Sequence, residues 1–181
     1  MLDKLTDFVI DFVEDLELKP NCFYGVPEGA TKLGILTQYK WAKKQSDYGS
    51  GIYTLSMGRG KIKDHGDPKD KYFLGIPKGK IILLEDVTTT GGSLLDTIDT
   101  LLEMNISVIA AIGLTNRNEL RVDKKSVQKA VEEKGISYYA MSNALDLLPE
   151  IYKNLQQKEN IAEVVEEYFK KYGVEKIKFT E

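Results

Sequence analysis

Residues 81–93 constrain the fold more than any other stretch, because a strand, an acidic pair and a helix start follow one another directly. Residues 81–84 are Ile-Ile-Leu-Leu, and such a run without polar alternation is typical of a strand covered on both faces, as in a parallel sheet. Apolar residues then recur at helical spacing from Leu94 to Leu102, which predicts a helix that begins at about Gly92. The intervening turn therefore lies at a helix N-terminus.

The turn itself has the composition of a phosphate site. At a helix N-terminus, unpaired backbone N–H groups and the positive end of the helix dipole attract an anion. Two glycines let the anion approach the backbone closely, and hydroxyl side chains add donors. Neither a Walker A loop nor a G-x-G-x-x-G fingerprint matches the pattern. The residues concerned are Val87, Thr88, Thr89, Thr90, Gly91, Gly92 and Ser93.

Glu85 and Asp86 make the predicted site more specific than a plain anion site. A carboxylate at a strand end, one turn from a bound phosphate, can accept hydrogen bonds from sugar hydroxyls or hold a hydrated Mg²⁺. A phosphorylated sugar matches both halves of the stretch. The alternative is an acidic strand end capped by a Thr/Gly turn, with no ligand. Either feature alone is compatible with that alternative, but the two together favour a ligand site.

The run 85–93 resembles the phosphoribosyl-pyrophosphate (PRPP) signature of type I phosphoribosyltransferases, and most nearly that of the orotate phosphoribosyltransferases. The resemblance implies that Glu85 and Asp86 bind the ribose 2- and 3-hydroxyls and that the turn binds the 5-phosphate. Asp86 is also predicted to be one of the catalytic residues. The implied reaction is displacement of pyrophosphate from C1 of PRPP by a ring nitrogen of orotate, giving orotidine 5′-monophosphate, with Mg²⁺ as cofactor and no protein nucleophile.

A basic, glycine-rich stretch at residues 59–80 holds seven Lys/Arg against three Asp, and on composition it is either a solvated loop or a functional lid. Its Lys-Asp-His-Gly run at 63–66 resembles the end of the mobile catalytic loop of orotate phosphoribosyltransferases. The resemblance implies that loop 58–75 closes over the site and serves the neighbouring subunit of a homodimer. The residues implied to act on the leaving pyrophosphate are Arg59, Lys61, Lys63 and His65.

Residues 25–34 contain a second strand-to-helix turn. In spacing and small residues they are similar to the pyrophosphate turn of the family, which implies that Glu28 and Gly29 contact pyrophosphate. The orotate enzymes often carry a lysine inside this turn, whereas the nearest lysine here is Lys32. The missing lysine affects only the predicted contact to pyrophosphate, and the other predicted contacts do not depend on it.

Arg117 follows a buried apolar run at 107–115, and ligands bind at strand ends in open α/β sheets. The resemblance implies that Arg117 binds the carboxylate of a small anionic base, although Asn116 stands where the family has an acid. A guanidinium fork suits a carboxylate. A plain surface arginine is the alternative.

The order of predicted elements indicates one α/β domain over residues 1–181, with a central, mainly parallel sheet, helices on both faces and the mobile basic loop. A C-terminal helix and tail occupy 157–181. The predicted strands are 21–26, 51–56, 81–84, 107–115 and 136–141, with an edge strand at 177–179. The predicted helices are 2–16, 31–44, 92–102, 123–133, 143–155 and 160–172.

Composition excludes several classes of protein. A net charge of −3 over 181 residues provides no basic field for nucleic acid, and no apolar run approaches the ~20 residues of a membrane span. The N-terminus lacks a basic segment ahead of an apolar one, so no signal peptide is expected. A single cysteine, Cys22, fits a reducing cytoplasm. One cysteine and one histidine exclude a zinc cluster, and no protein-only metal site is expected.

Two other functions stay open at this point. The family usually carries a segment before the first helix that covers the base, and none is recognised here, so the sequence leaves open which element covers the base. One alternative is therefore a PRPP-binding regulatory protein without activity, which the run 63–66 argues against. The other is a phosphoribosyltransferase for a purine or for uracil, whereas Arg117 favours an anionic base.

Overall fold

A central sheet of four parallel strands carries the structure, a computed structural model that describes residues 1–49, 51–59, 64–65, 67, 71–154 and 160–179. Its strands are β1 (Cys22–Gly25), β4 (Ile81–Thr88), β5 (Val108–Asn116) and β6 (Ser137–Asn143). They lie in the order β1-β4-β5-β6, with every neighbouring pair parallel. The short strands β2 (Met57–Gly58) and β3 (Phe73–Leu74) form a separate antiparallel ribbon.

Helices cover both faces of the sheet, which confirms the predicted fold class. On one face, α1 (Leu2–Asp15) and α2 (Thr31–Lys44) enclose an apolar core. On the other face, α3 (Gly92–Glu103) and α4 (Val127–Glu132) enclose a second core. Two C-terminal helices follow, α5 (Ala144–Lys153) and α6 (Ile161–Tyr172). None of the helices within the described ranges has the length and apolar character to cross a membrane.

The unbroken apolar run at the start of β4 explains its central place. Side chains alternate between the faces of a strand, so Ile81 and Leu83 enter the core beneath α3, while Ile82 and Leu84 enter the core beneath α1 and α2. All four are fully buried, and each such side chain contributes roughly 1.5–3 kcal/mol to folding. A strand with polar residues on one face could not occupy this position.

The parallel register brings the carboxyl ends of the strands together at one edge of the sheet. Gly25 of β1 lies beside Leu84, and Glu85 lies beside Gly113 of β5. Thr88, the last residue of β4, pairs with Asn116, the last residue of β5. The turns that follow these strands therefore share one edge, as the sequence predicts for the ligand site.

Two predicted strands are wrong. Residues 51–56 form no strand. The carbonyl oxygen of Thr54 accepts a hydrogen bond from the Gln38 side chain (Nε2, 2.9 Å) instead of one from a neighbouring strand. Residues 177–179 also form no strand. Phe179 packs its ring against Tyr152, at 4.7 Å between centroids, and its backbone N–H donates to the Glu166 carboxylate at 2.8 Å.

The predicted polar helix at 123–133 is shorter than expected. Only Val127–Glu132 is helical. Asp123 Oδ1 accepts the backbone N–H of Lys125 at 3.1 Å, and Lys124 has φ 63°, so these residues form a turn. Ser126 then caps the helix by accepting the Lys129 N–H. A charged stretch with good helix propensity is here overruled by local side-chain bonds to the backbone.

Candidate active site

The turn between β4 and α3 forms a small polar cavity at a helix N-terminus. The helix begins at Gly92, as predicted, and Gly91 precedes it with φ 69°. A Cβ on Gly91 would also collide with Val127, so this position requires glycine. No side chain of the described residues caps the helix, which leaves its first N–H groups facing the cavity. The cavity measures about 220 Å³ and is lined by Glu85, Val87, Thr89, Thr90, Gly91, Gly92 and Ser93.

The two carboxylates beside this cavity have different environments. Asp86 is exposed, and its Oδ1 accepts the backbone N–H of Val87 at 2.8 Å. Glu85 is partly buried, and its Oε2, an atom shielded from solvent, has no hydrogen-bond partner among the described residues. Burial raises the pKa of Glu85 to about 7, and the negative charge of Asp86 adds to this effect. A buried carboxylate oxygen without a partner lacks a hydrogen bond that a hydroxyl or water donor would supply.

Thr88 lies beneath the turn rather than in the cavity. It is 1% exposed, and its hydroxyl lies near that of Tyr138. Gly113 makes room for both, since a Cβ there would lie 2.6 Å from Thr88 Oγ1 and 2.7 Å from the Tyr138 hydroxyl oxygen. Burial raises the pKa of Tyr138 to about 12; the neighbouring Thr88 hydroxyl lowers it, while the charge of Glu85 raises it. Sequence reasoning missed Tyr138, although a glycine inside an apolar strand is a signal of close packing.

The second strand-to-helix turn meets the first at Asp86. The backbone N–H of Val26 donates to Leu84 O at 2.8 Å, which ties the turn to β4. A Cβ on Gly29 would lie 2.6 Å from Asp86 Oδ2, so glycine permits this close approach. Glu28 and Gly29 are exposed, and the Pro27–Glu28 peptide is cis. The structure thus brings Glu28, Gly29 and Asp86 together at the start of α2.

Arg117 lies at the mouth of a larger, apolar cavity of about 390 Å³. Its backbone N–H donates to Thr88 O at 2.9 Å, which joins this cavity to the end of β4. Its Nη2 lies 2.7 Å from Glu119 Oε1 and donates to the Tyr168 hydroxyl at 3.3 Å. Sequence reasoning gave no role to Glu119 or Tyr168. The cavity is lined by Arg117, Glu119, Ala144, Leu148, Val164, Val165, Tyr168 and Phe169.

Arg121 is a second arginine that contacts the site. Its Nη1 donates to the backbone carbonyl of Thr90 at 2.6 Å, in the turn before α3. The sequence offered one signal for Arg121: it lies four residues after Arg117, so both arginines follow the end of the same strand. Arg121 therefore adds a positive charge directly behind the predicted phosphate turn.

The basic loop is described only at its two ends and at a few residues between them. Arg59 donates from Nε to Phe73 O at 3.1 Å, and its backbone N–H donates to Tyr72 O. Arg59 shares a cavity of about 150 Å³ with Pro27, next to the second turn. His65 is exposed. Lys61 and Lys63 lie outside the described residues, so their roles and the mobility of the loop stay predictions.

Metal binding by protein side chains alone has no support in the described ranges, which contain no group of three or more His, Cys, Asp or Glu that could hold an ion. Cys22 is fully buried, and burial raises the pKa of its thiol to about 11, so it stays a neutral thiol near pH 7.

Comparisons with known proteins agree with this geometry. No family model matches the chain. A curated protein of Clostridium botulinum named orotate phosphoribosyltransferase is 32% identical over 162 residues, covering 83% of this chain and 70% of that protein.

Solved structures at lower identity share the fold. The orotate phosphoribosyltransferase of Francisella tularensis aligns with a TM-score of 0.67 at 20% identity, covering 95% of this chain and 80% of that one. The orotate phosphoribosyltransferase of Mycobacterium tuberculosis, solved in complex with PRPP, aligns with a TM-score of 0.54 at 14% identity. That alignment covers 81% of this chain and 75% of the other.

Proposed function

We propose that this chain, which belongs to the orotate phosphoribosyltransferase family, transfers the 5-phosphoribosyl group of PRPP to orotate, forming orotidine 5′-monophosphate and pyrophosphate. The observation that carries the proposal is the meeting of three strand ends. The uncapped N-terminus of α3 lies beside the acidic pair, Gly29 of the second turn touches Asp86, and Arg117 bonds the end of β4. A phosphorylated sugar with a leaving group and an anionic acceptor requires these three neighbouring subsites.

Each subsite has a defined part in the reaction. The turn before α3 binds the 5-phosphate through backbone N–H groups and hydroxyls. Asp86 and Glu85 accept hydrogen bonds from the ribose hydroxyls. A ring nitrogen of orotate loses its N–H proton to solvent and forms a bond to C1. The bond from C1 to the pyrophosphate oxygen breaks at the same time, and its electron pair leaves with pyrophosphate. Fixed positions of both reactants supply much of the rate, because no protein nucleophile takes part.

The residues present fit a hydrated Mg²⁺ rather than a bare ion. Glu85 has a carboxylate oxygen without a partner among the described residues, and Asp86 is exposed beside it. Two carboxylates suit an ion that keeps several waters and is bound mainly by substrate phosphates. When bound, Mg²⁺ neutralises charge on the pyrophosphate. Asp86 and Glu85 would hold it through water.

The basic loop, a homodimer and a cytoplasmic location complete the proposal. Arg59 lies beside the second turn, so a loop that starts there can reach pyrophosphate bound at Glu28 and Gly29. Lys61, Lys63 and His65 would then neutralise the leaving group and exclude water, and the loop would serve the partner subunit. The single cysteine is buried and free, which supports a cytoplasmic location, since disulfides are rare in the cytoplasm.

A pyrophosphate-release assay with PRPP, Mg²⁺ and separate bases tests the proposal. Release with orotate, and little with uracil or adenine, is the expected result. Release with uracil or adenine in place of orotate would assign another base. Calorimetric binding of PRPP without release for any base would instead indicate a regulatory protein.

A further inference from the structure

We propose that the base binds between Arg117 and helix α6, and that Tyr168 and Glu119 are positioning residues that direct the Arg117 guanidinium toward the base carboxylate. This inference rests on the proposed function. It assigns the cover of the base to the C-terminal helix, which lies on the same cavity as Arg117.

Backbone hydrogen bonds attach the end of α6 to the loop that carries Arg117. The Leu120 N–H donates to Tyr172 O at 2.7 Å, and the Val174 N–H donates to Asn118 O at 2.8 Å. Glu119 and Gly173 form an antiparallel bridge between these two bonds. The short ladder therefore fixes α6, which forms one wall of the cavity, against the loop that carries Arg117.

The same loop also holds the start of α5. Asn118 has φ 56°, and its side-chain oxygen accepts the Ala144 N–H at 3.0 Å. This bond satisfies a free N–H of the first turn of α5, as a capping side chain does. The loop after β5 is therefore joined to α5, to α6 and, through the Arg117 N–H, to Thr88 at the end of β4. A loop bonded to three elements is a rigid support for a binding side chain.

The Arg117 side chain is held by two neighbours. The Glu119 side chain is only 11% exposed and lies 2.7 Å from Nη2, while the Arg117 side chain remains 48% exposed. The Tyr168 hydroxyl accepts from the same Nη2. Burial raises the pKa of Tyr168, and the neighbouring Glu119 carboxylate raises it further. Both contacts of Arg117 to described side chains use Nη2, so the N–H groups of Nη1, at the other corner of the guanidinium, can donate to a carboxylate.

The cavity suits a planar base that is charged at one end. Its volume of about 390 Å³ lies in the range typical of small-molecule sites. Leu148, Val164 and Phe169 provide apolar walls for the faces of a ring, and the polar groups cluster at the Arg117 end. A pyrimidine carboxylate would place its ring between α5 and α6 and its carboxylate against Arg117 Nη1.

Kinetics with orotate and its uncharged carboxamide test the roles of Tyr168 and Glu119. Tyr168→Phe removes one contact of Nη2 and keeps the ring, while Glu119→Gln removes the charge. In both variants we expect KM for orotate to rise about tenfold, which corresponds to the free energy of one hydrogen bond to a charged group. KM for PRPP should change less than about twofold. The preference for orotate over the carboxamide should fall as well, because only the carboxylate carries a charge that pairs with the guanidinium.

A second pair of variants tests the cavity itself. Val164 lines the cavity and is exposed, so Val164→Trp can fill the space without disturbing the core. It should weaken orotate binding at least about tenfold and leave calorimetric PRPP affinity unchanged. Ile161→Trp is the matched control, since Ile161 is an exposed residue of α6 outside the cavity lining. It should behave as the wild type.

The outcomes separate the inference from the proposed function. If wild-type protein turns over orotate but Tyr168→Phe and Glu119→Gln keep its KM and its preference over the carboxamide, the positioning roles are overturned while the activity stands. Unchanged orotate affinity in Val164→Trp would overturn the location of the base. If the wild type itself fails with orotate, both fail. A Tm within a few degrees of the wild-type value excludes a folding defect as the cause in each variant. If Glu119→Gln does not fold, Tyr168→Phe still tests the proposal.

Discussion

Replacing Glu85 with Gln should stabilise the folded protein at alkaline pH, because the native carboxyl group resists ionisation. Burial and the charge of Asp86 raise the pKa of Glu85 from 4.5 to about 7. Between these values the folded state binds more protons than the unfolded state, so the free energy of unfolding falls as pH rises. The contribution is fully present below the unfolded pKa and is lost as pH rises through the folded one.

The magnitude follows from the same two values. One unit of pKa difference corresponds to about 1.4 kcal/mol, so a rise from 4.5 to about 7 sets an upper limit of roughly 3 kcal/mol. Glu85 lines the cavity and keeps some contact with solvent, which screens the effect. We therefore expect a difference of about 1–2 kcal/mol to develop between about pH 4.5 and about pH 7 and to remain constant from there to about pH 9.

Urea unfolding of the wild type and of Glu85→Gln across this pH range measures the effect. Glutamine has the shape of protonated glutamate and does not titrate, so the difference between the two proteins isolates the carboxyl group. Asp86→Asn is the control, because removing its charge lowers the pKa of Glu85 and should reduce the pH dependence. A stability difference that is constant from about pH 5 to about pH 9 would refute the reasoning, since it would mean that Glu85 ionises normally in the folded state.

Three further predictions concern the turns and the loop. Arg117→Ala should raise KM for orotate much more than KM for PRPP; equal changes in steady-state kinetics would make Arg117 structural. Lys63→Ala should lower kcat by orders of magnitude, while the affinity for PRPP measured by calorimetry changes little. Mixing Lys63→Ala with inactive Asp86→Asn should restore activity, because each mixed dimer contains one intact site. No recovery after subunit exchange would mean that the loop acts on its own subunit. Gly91→Ala should destabilise the fold by at least about 1–2 kcal/mol in urea unfolding, because of its φ of 69°; Gly92→Ala, with open space around it, should not, and equal effects would contradict this reasoning.

The sequence alone determined the part of the fold that depends on local pattern. The run 81–84 could only be buried on both faces, and the apolar spacing after Gly92 could only be a helix, so β4, α3 and the turn between them were predictable. The same holds for α1 and α2, whose bounds agree with prediction to within one residue. The position of Glu85 and Asp86 at the end of β4, beside the helix start, was predictable as well, whereas their role as ligand-binding residues stays a prediction.

Strand assignment outside the central sheet was not determined by local pattern. Residues 51–56 are as apolar as other strands, yet Gln38 of α2 takes the Thr54 carbonyl. Whether an extended segment joins a sheet depends on a neighbour with free backbone groups at the right distance. That neighbour belongs to the tertiary structure.

The partners of Arg117 were decided by tertiary structure for the same reason. Tyr168 lies 51 residues further along the chain, on a helix whose sequence pattern predicts its existence but not its place. The ladder between Asn118 and Val174 sets that place, and backbone hydrogen bonds carry no residue signature. The arginine could be found from its strand end, whereas the cavity it faces exists only once α5 and α6 are packed against the loop.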